Sequence, residues 1–345
     1  MKYLILFILS ISLVSISFVT IHKKDSFDYP EKLSEFGFFK GSMSKLIPEE
    51  GIIPYELNTP LFTDYAFKIR FIKLPENEQI IYNDYEQFSF PIGTVLIKNF
   101  FYPKDFRHLD KQRQLIETRL LIHEDQGWVA LPYVWNSEQT EAYLEVAGDT
   151  KFIQWKNEQG KKMETNYSVP NINQCKGCHN SNGKMVPIGP TARQLNRNNT
   201  YPEGNFNQLE YLQKKNWIEL PDLGSIPIAA VWNNQETGSL DERARIYLDI
   251  NCAHCHSEDG PANTTGLFLN IYQEKDIAYG IMKTPVAAGR GSGGLKYDIV
   301  PGKAGESIMI YRMESVHPGI AMPEIGRTLV HKEGVDLIKE WINNL

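Results

Sequence analysis

Hydrophobic and polar residues alternate along several stretches between residues 30 and 165, with the period of two that marks half-buried β-strands. From residue 116 to 123, apolar or β-branched residues occupy the even positions, whereas Glu117, Arg119 and His123 stand at odd ones. Further strands are predicted at 94–101, 127–135 and 151–155, with Gly and Pro between them. We therefore expect residues 30–165 to form an all-β domain with a sandwich-like arrangement.

A helical period dominates the two ends of the remaining chain. Ser239 and Glu242 form an S-x-x-E capping box that opens a helix. Apolar residues then recur on one face of that helix, and a second apolar stripe runs from Val335 to Leu345. Shorter helices are predicted at 191–197 and 205–217, whereas Pro170 and the polar residues after it argue against a helix near residue 172. A glycine-rich run at 289–294 is expected to be a flexible loop.

An apolar run of 19 residues, from Tyr3 to Ile21, lies close to the amino terminus. It follows Lys2 and precedes a basic stretch, a pattern that fits an export signal, and its length also permits a membrane anchor. No Ala-x-Ala cleavage site follows it, so the sequence leaves cleavage open. We expect residues 1–24 to direct the chain to the periplasm or cell envelope, with membrane anchoring by residues 3–21 as one outcome.

The 345 residues carry 36 basic and 42 acidic side chains, a formal charge of −6. A mildly acidic chain has no bulk charge with which to hold a polyanion, so nucleic acid is not expected as a partner. The length favours about two folded domains, since domains commonly hold about 150 residues. Composition therefore does not indicate a function, and the four cysteines are the residues that do.

All four cysteines belong to two C-x-x-C-H motifs, which run from Cys175 to His179 and from Cys252 to His256. This motif is the attachment signature of c-type heme. Two cysteines three residues apart on a helical turn share one face, where both sulfurs reach the heme vinyl groups. The following histidine then binds the iron as proximal ligand. We expect two covalently attached hemes c, bound by Cys175 and Cys178 with His179, and by Cys252 and Cys255 with His256.

Three other roles of these cysteines are weaker interpretations. Zinc ribbons usually separate their C-x-x-C pairs by about 15–20 residues, whereas 73 residues lie between Cys178 and Cys252 here. A redox dithiol needs a single C-x-x-C pair. Structural disulfides would leave the histidine that follows each pair unexplained.

Methionines offer sixth ligands for the iron atoms. Met322 follows His256 by 66 residues and precedes Pro323 in a turn before the last helix, which favours it as the sixth ligand of the second heme. Met309 and Met313 are expected to pack in the core. For the first heme, Met185 is a weaker candidate because it lies only six residues after His179. Met163, His108, His123 and an open coordination site are the alternatives.

Several further segments carry a resemblance to known proteins. They are 128–136 (WVALPYVWN), 187–190 (PIGP), 194–197 (QLNR), 251–256 (NCAHCH), 297–302 (YDIVPG) and 321–323 (AMP), with Ser307 and Arg312. Together they resemble a poorly characterised family of exported diheme c-type cytochromes, over most of the chain after residue 30. The resemblance implies two covalent hemes and electron transfer. Relatives that occur beside quinoprotein sugar dehydrogenase-like propellers suggest a periplasmic dehydrogenase as redox partner.

The predicted fold class is an α+β multidomain protein. An all-β domain at 30–165 is followed by mainly α-helical cytochrome c-type heme modules: an abbreviated one at 166–236, packed on the β-domain, and a class I cytochrome c-like one at 237–345. The predicted function is electron transfer between a periplasmic dehydrogenase or quinone-linked donor and an acceptor, rather than catalysis. The alternatives are a diheme peroxidase-type oxidoreductase and a ligand-binding β-domain with the hemes as its electron outlet.

Overall fold

Six antiparallel strands form the main sheet in a computed structural model that describes residues 29–85 and 87–345. They are β1 (Ile52–Tyr55), β2 (Phe67–Lys73), β3 (Val95–Pro103), β4 (Arg113–Glu124), β5 (Gly127–Trp135) and β6 (Ala142–Leu144). Each strand pairs with the next one along the chain, so the sheet is a meander. The strands predicted at 94–101, 116–123 and 127–135 are confirmed as β3, β4 and β5.

A separate hairpin covers part of one face of this sheet. It consists of β7 (Asp149–Lys156), which contains the strand predicted at 151–155, and β8 (Lys162–Val169). Its buried Trp155 and Tyr167 pack against Phe100 and Tyr102 of β3. The same face continues into a second apolar cluster, where Leu96 meets residues from the segment 192–226.

Six α-helices and two small hairpins complete the described part of the chain. The helices are α1 (Ile172–Cys178), α2 (Ala192–Leu195), α3 (Gln208–Lys214), α4 (Leu240–Leu248), α5 (Ile308–Met313) and α6 (Lys332–Asn343). The hairpins are β9 (Asn180–Ser181) with β10 (Lys184–Met185), and β11 (Asn198–Tyr201) with β12 (Gly204–Asn207). Helix α4 begins after the predicted Ser239–Glu242 capping box and packs against α6 in the carboxy-terminal core.

The prediction of mainly α-helical heme modules is wrong. Strands account for 27% of the described residues and helices of all types for 23%, and the described α-helices contain only 4 to 12 residues each. The physical reason lies between the second motif and α5, where Gly- and Pro-rich sequence forms turns and single 3-10 turns instead of helices. Within the predicted module at 237–345, the sequence shows a helical period only near the two ends. Residues Glu31–Leu345 form one compact unit, and the boundaries predicted after 165 and 236 stay predictions.

The expectation that no helix forms near residue 172 is also wrong. Helix α1 begins at Ile172, directly after Pro170 and Asn171. The side chain of Asn171 accepts a hydrogen bond from the backbone N–H of Gln174, and the Gln174 side chain accepts one from the backbone N–H of Asn171. This reciprocal capping satisfies two backbone donors that a helix amino terminus otherwise leaves free. The polar residues after Pro170 therefore start a helix rather than prevent one.

No helix in residues 29–85 and 87–345 has the length and apolar character needed to cross a membrane. The export signal or anchor predicted at residues 3–21 lies outside the described residues.

Candidate functional site

Both C-x-x-C-H motifs open into one cavity of about 650 Å³. A volume of this size is typical of pockets that hold small molecules and cofactors. The cavity lies between the sheet, α1 and the carboxy-terminal core, and most of its lining is apolar. Its wall includes every cysteine and the histidine of each motif: Cys175, Cys178, His179, Cys252, Cys255 and His256. All four cysteines are free thiols.

The first motif is carried by α1 and by the turn that ends it. His179 is the carboxy-terminal cap of this helix, and its N–H donates to the carbonyl oxygen of Cys175. The imidazole Nδ1 lies 2.8 Å from the carbonyl oxygen of Val186. Burial lowers the pKa of His179 to about 3, although the bond to Val186 opposes this shift. The ring is therefore neutral near pH 7, and its Nδ1 is occupied by the bond to Val186. The electron pair of Nε2 is then the one available to bind a metal.

The second motif follows α4 without a break. A π-helical turn, Asp249–Ala253, extends the helix, and the N–H of His256 donates to the carbonyl oxygen of Cys252. Asn251 connects this turn to the loop between β1 and β2, because its Oδ1 accepts a hydrogen bond from the backbone N–H of Phe62 at 2.8 Å. Burial lowers the pKa of His256 to about 4. Its Nδ1 is buried without a hydrogen-bond partner, although the Leu267 backbone is near enough to oppose the shift.

The two motifs touch each other. The Sγ of Cys255 lies 4.0 Å from the carbonyl oxygen of Gly177, and the thiols of Cys178 and Cys255 interact directly. This interaction raises the pKa of Cys178 and lowers that of Cys255. The sequence did not predict this proximity, since 72 residues separate His179 from Cys252 and the spacing of the motifs gives no information on tertiary contact.

Of the two methionines predicted as iron ligands, only Met322 lies at the cavity. Met322 lines the cavity together with both motifs, and so do Met309 and Met313, which also pack in the carboxy-terminal core. Met185 lies in the β9–β10 hairpin and is not among the residues that line the cavity. The geometry thus brings Met322 to the site and leaves Met185 outside it.

Arg327 holds the loop that presents Met322. Its guanidinium donates to the carbonyl oxygens of Met322 at 2.9 Å, Ser315 at 2.8 Å and Leu329 at 3.0 Å. It also reaches the carbonyl oxygens of Arg312 and Met313. Sequence reasoning missed this residue, because an arginine that binds only backbone carbonyls belongs to no motif.

Within residues 29–85 and 87–345, no three His, Cys, Asp or Glu side chains are grouped so that they could hold a metal ion. Structural zinc sites use four such side chains. Heme iron needs only one or two, because the porphyrin supplies the other donors.

Comparisons of this chain with protein-family models, with curated proteins and with solved structures found no match. The resemblance to exported diheme cytochromes therefore stays a prediction that rests on the sequence segments alone.

Proposed function

We propose that the chain is an exported diheme c-type cytochrome that carries electrons between a dehydrogenase or quinone-linked donor and an acceptor protein. The observation that carries this proposal is the convergence of two C-x-x-C-H motifs, far apart in sequence, on one cavity. Electron carriers benefit from neighbouring redox groups, since an electron that enters at one group can leave from the other. Cys255 contacts the first motif, so the two motifs lie side by side.

The residues around the cavity fit two covalent hemes in their chemistry. Cys175, Cys178, Cys252 and Cys255 supply the thiols for thioether bonds, and His179 and His256 supply neutral imidazoles. When bound, each heme supplies an iron that cycles between the ferric and ferrous states.

The chain's own residues prepare the proximal ligands. The carbonyl of Val186 fixes the ring orientation of His179, and such a second hydrogen bond makes an imidazole a more basic metal ligand. Among the described residues, the Nδ1 of His256 has no carbonyl at a comparably short distance, and only the Leu267 backbone acts on it. The two histidines are therefore unequal donors, and we expect the two irons to differ in reduction potential.

Met322 is the residue we propose as sixth ligand of the second heme, because it is a thioether on the wall of the shared cavity. Its loop is fixed by Arg327. A thioether is a soft, neutral donor that favours the ferrous state and raises the potential relative to a second histidine.

A diheme peroxidase-type enzyme is the second candidate. The observation that favours it is the position of Met185 outside the cavity wall, since Met185 is the methionine that follows the first motif most closely in sequence. An iron with an open coordination position can bind peroxide, whereas a six-coordinate carrier iron does not.

Spectra of the purified holoprotein separate these functions. The carrier predicts low-spin EPR signals from both ferric hemes, two reversible one-electron steps in a potentiometric titration and no peroxide turnover. A high-spin ferric signal from the first heme together with peroxide turnover would instead establish the enzyme. Cys175→Ala with Cys178→Ala is the matched control, because it removes the first heme and leaves the signal of the second for assignment.

A further inference from the structure

Three basic side chains form a row across the main sheet. Arg70 on β2 stands directly opposite Lys98 on β3, and Lys98 stands directly opposite Arg119 on β4. Paired residues on neighbouring strands share one face of a sheet, about 4.8 Å apart. All three residues line the cavity that holds the two motifs. The sheet therefore presents three neighbouring basic side chains to the interior of the site.

The two arginines of this row have carboxylate partners. Arg70 is 3% exposed and binds Glu56 at 3.0 Å. Arg119 binds the fully buried Glu117 through two nitrogens, and Tyr167 donates to the same carboxylate. These pairs fix the guanidinium groups in place and neutralise them.

Lys98 has no such partner. Among the described residues, its ammonium makes no hydrogen bond or ion pair and lies 5.1 Å from the centre of the Phe100 ring. Burial, together with the charges of Arg70, Lys68 and Arg119, holds the pKa of Lys98 well below its usual range. Lys68, a further basic residue on β2 near this row, donates from its Nζ to the carbonyl oxygen of Leu61. A partly buried ammonium among cations is costly unless an anion joins it.

The row lies in the part of the sheet that packs near the first motif. Helix α1, which carries Cys175 and Cys178, contacts β5, and β5 is the neighbour of β4 with its Arg119. Negative charge brought by a molecule at the first motif would therefore meet this row.

We propose that Arg70, Lys98 and Arg119 form a carboxylate-binding site on the cavity wall, with Lys98 as the residue that pairs with the incoming carboxylate. Planar guanidinium groups and an ammonium are the groups that recognise carboxylates. The carboxylate has two sources: the propionates of a heme attached at Cys175 and Cys178, or a free small dicarboxylate. The first source rests on the proposed function, and the second does not.

The test compares Lys98→Met, which removes the charge, with Lys98→Arg, which keeps it. Lys162→Met is the control, because Lys162 is an exposed strand lysine remote from the cavity wall. In the holoprotein, a positive charge at Lys98 beside the propionates would stabilise the ferrous state of the first heme. Propionate binding therefore predicts a lower midpoint potential for that heme in Lys98→Met, which lacks the charge. Lys98→Arg and Lys162→Met should keep the wild-type potential, and all four proteins should stay low-spin.

A free dicarboxylate gives a different result. Succinate should then raise the melting temperature of the wild-type protein and of Lys98→Arg, and should leave Lys98→Met unchanged. This arm needs no heme, so it separates failure of the carboxylate site from failure of the proposed function. Lys98→Met should fold, because replacement of an unpaired buried charge by an apolar side chain of similar length removes a cost.

Two outcomes overturn the proposal. One is an unchanged potential in Lys98→Met together with no succinate response in the wild-type protein. The other is a conversion of the first heme to high spin in both Lys98→Met and Lys98→Arg, which would make Lys98 an iron ligand instead.

Discussion

The Nδ1 atom of His179 lies 2.8 Å from the carbonyl oxygen of Val186, and the N–H of Val186 donates back to the carbonyl oxygen of His179. The β9–β10 hairpin makes this pairing, since it turns the chain back at Asn182 and Gly183, both with positive φ. Asn-Gly is the dipeptide that such two-residue turns prefer. The fold therefore positions the imidazole of His179 through a hairpin that the Asn-Gly dipeptide indicates and that we did not predict.

Met322→Ala should change one heme only. Loss of the thioether removes the weak ferric sulfur-to-iron band at the red edge of the spectrum and lowers the potential of that heme. Met322→His should keep the iron low-spin and still lower the potential. Met185→Ala is the control and should leave the band in place. An unchanged band in Met322→Ala would mean that Met322 packs, and Met309 or Met313 would then be the ligand.

Arg327→Met should loosen the loop that presents Met322. The substitution leaves several carbonyl oxygens without their donor, at a cost of about 1–3 kcal/mol for a buried group. We expect a lower free energy of unfolding and a larger high-spin fraction of the heme that Met322 serves. Arg327→Lys should show smaller changes in the free energy of unfolding and in the high-spin fraction than Arg327→Met. Arg290→Met, at an exposed arginine, should change neither quantity. Equal spectra for Arg327→Met and the wild-type protein would show that the loop needs no such support.

His331 should make the protein less stable in acid. Its ring stacks on Phe62, its Nδ1 binds the hydroxyl of Tyr247, and burial lowers its pKa from 6.5 to about 3. Below pH 6.5 the unfolded chain binds a proton here that the folded chain does not, so stability falls as the pH falls, by at most about 1.4 kcal/mol per pH unit.

Denaturant unfolding at pH 7, 6, 5 and 4.5 measures this dependence. His331→Phe should be less stable at pH 7 because it loses the bond to Tyr247, yet its stability should decline less steeply with acid. His108→Phe, at an exposed histidine, should keep the wild-type slope. If His331→Phe keeps that slope too, other groups cause the acid sensitivity.

Gly334→Ala tests the contact between α4 and α6. A β-carbon at this position would overlap the ring and hydroxyl of Tyr247. Alanine normally favours a helix by about 1 kcal/mol over glycine, but an overpacked core costs about 1–3 kcal/mol. We expect the melting temperature to fall in Gly334→Ala and to hold or rise in Gly305→Ala, where the new methyl group meets no atom within 4 Å. A stabilised Gly334→Ala would show that the helices have room to separate.

Local sequence patterns predicted individual strands and helix ends better than they predicted how these pack together. The period-two alternation located β3, β4 and β5, and the Ser239–Glu242 capping box located the start of α4. The prediction of a mainly helical module at 237–345 is wrong, because it extends to the whole segment the helical pattern found at its two ends.

The arrangement of the site depends on contacts that a single sequence does not contain. The approach of Cys255 to Gly177 joins two segments 78 positions apart. The row formed by Arg70, Lys98 and Arg119 exists only through strand register, which is set when the whole sheet pairs. Read singly along the sequence, each of these basic residues is typical of an exposed strand position.

The central claim is that both motifs carry covalent heme, and the mass of the intact protein tests it most directly. Protein exported in cells with the c-type heme maturation machinery should gain the mass of two hemes, which acidified organic solvent should not extract. Cys252→Ala with Cys255→Ala should leave one heme, attached at Cys175 and Cys178. A wild-type protein at the mass of the polypeptide alone, or one that loses all heme to the solvent, would contradict the account.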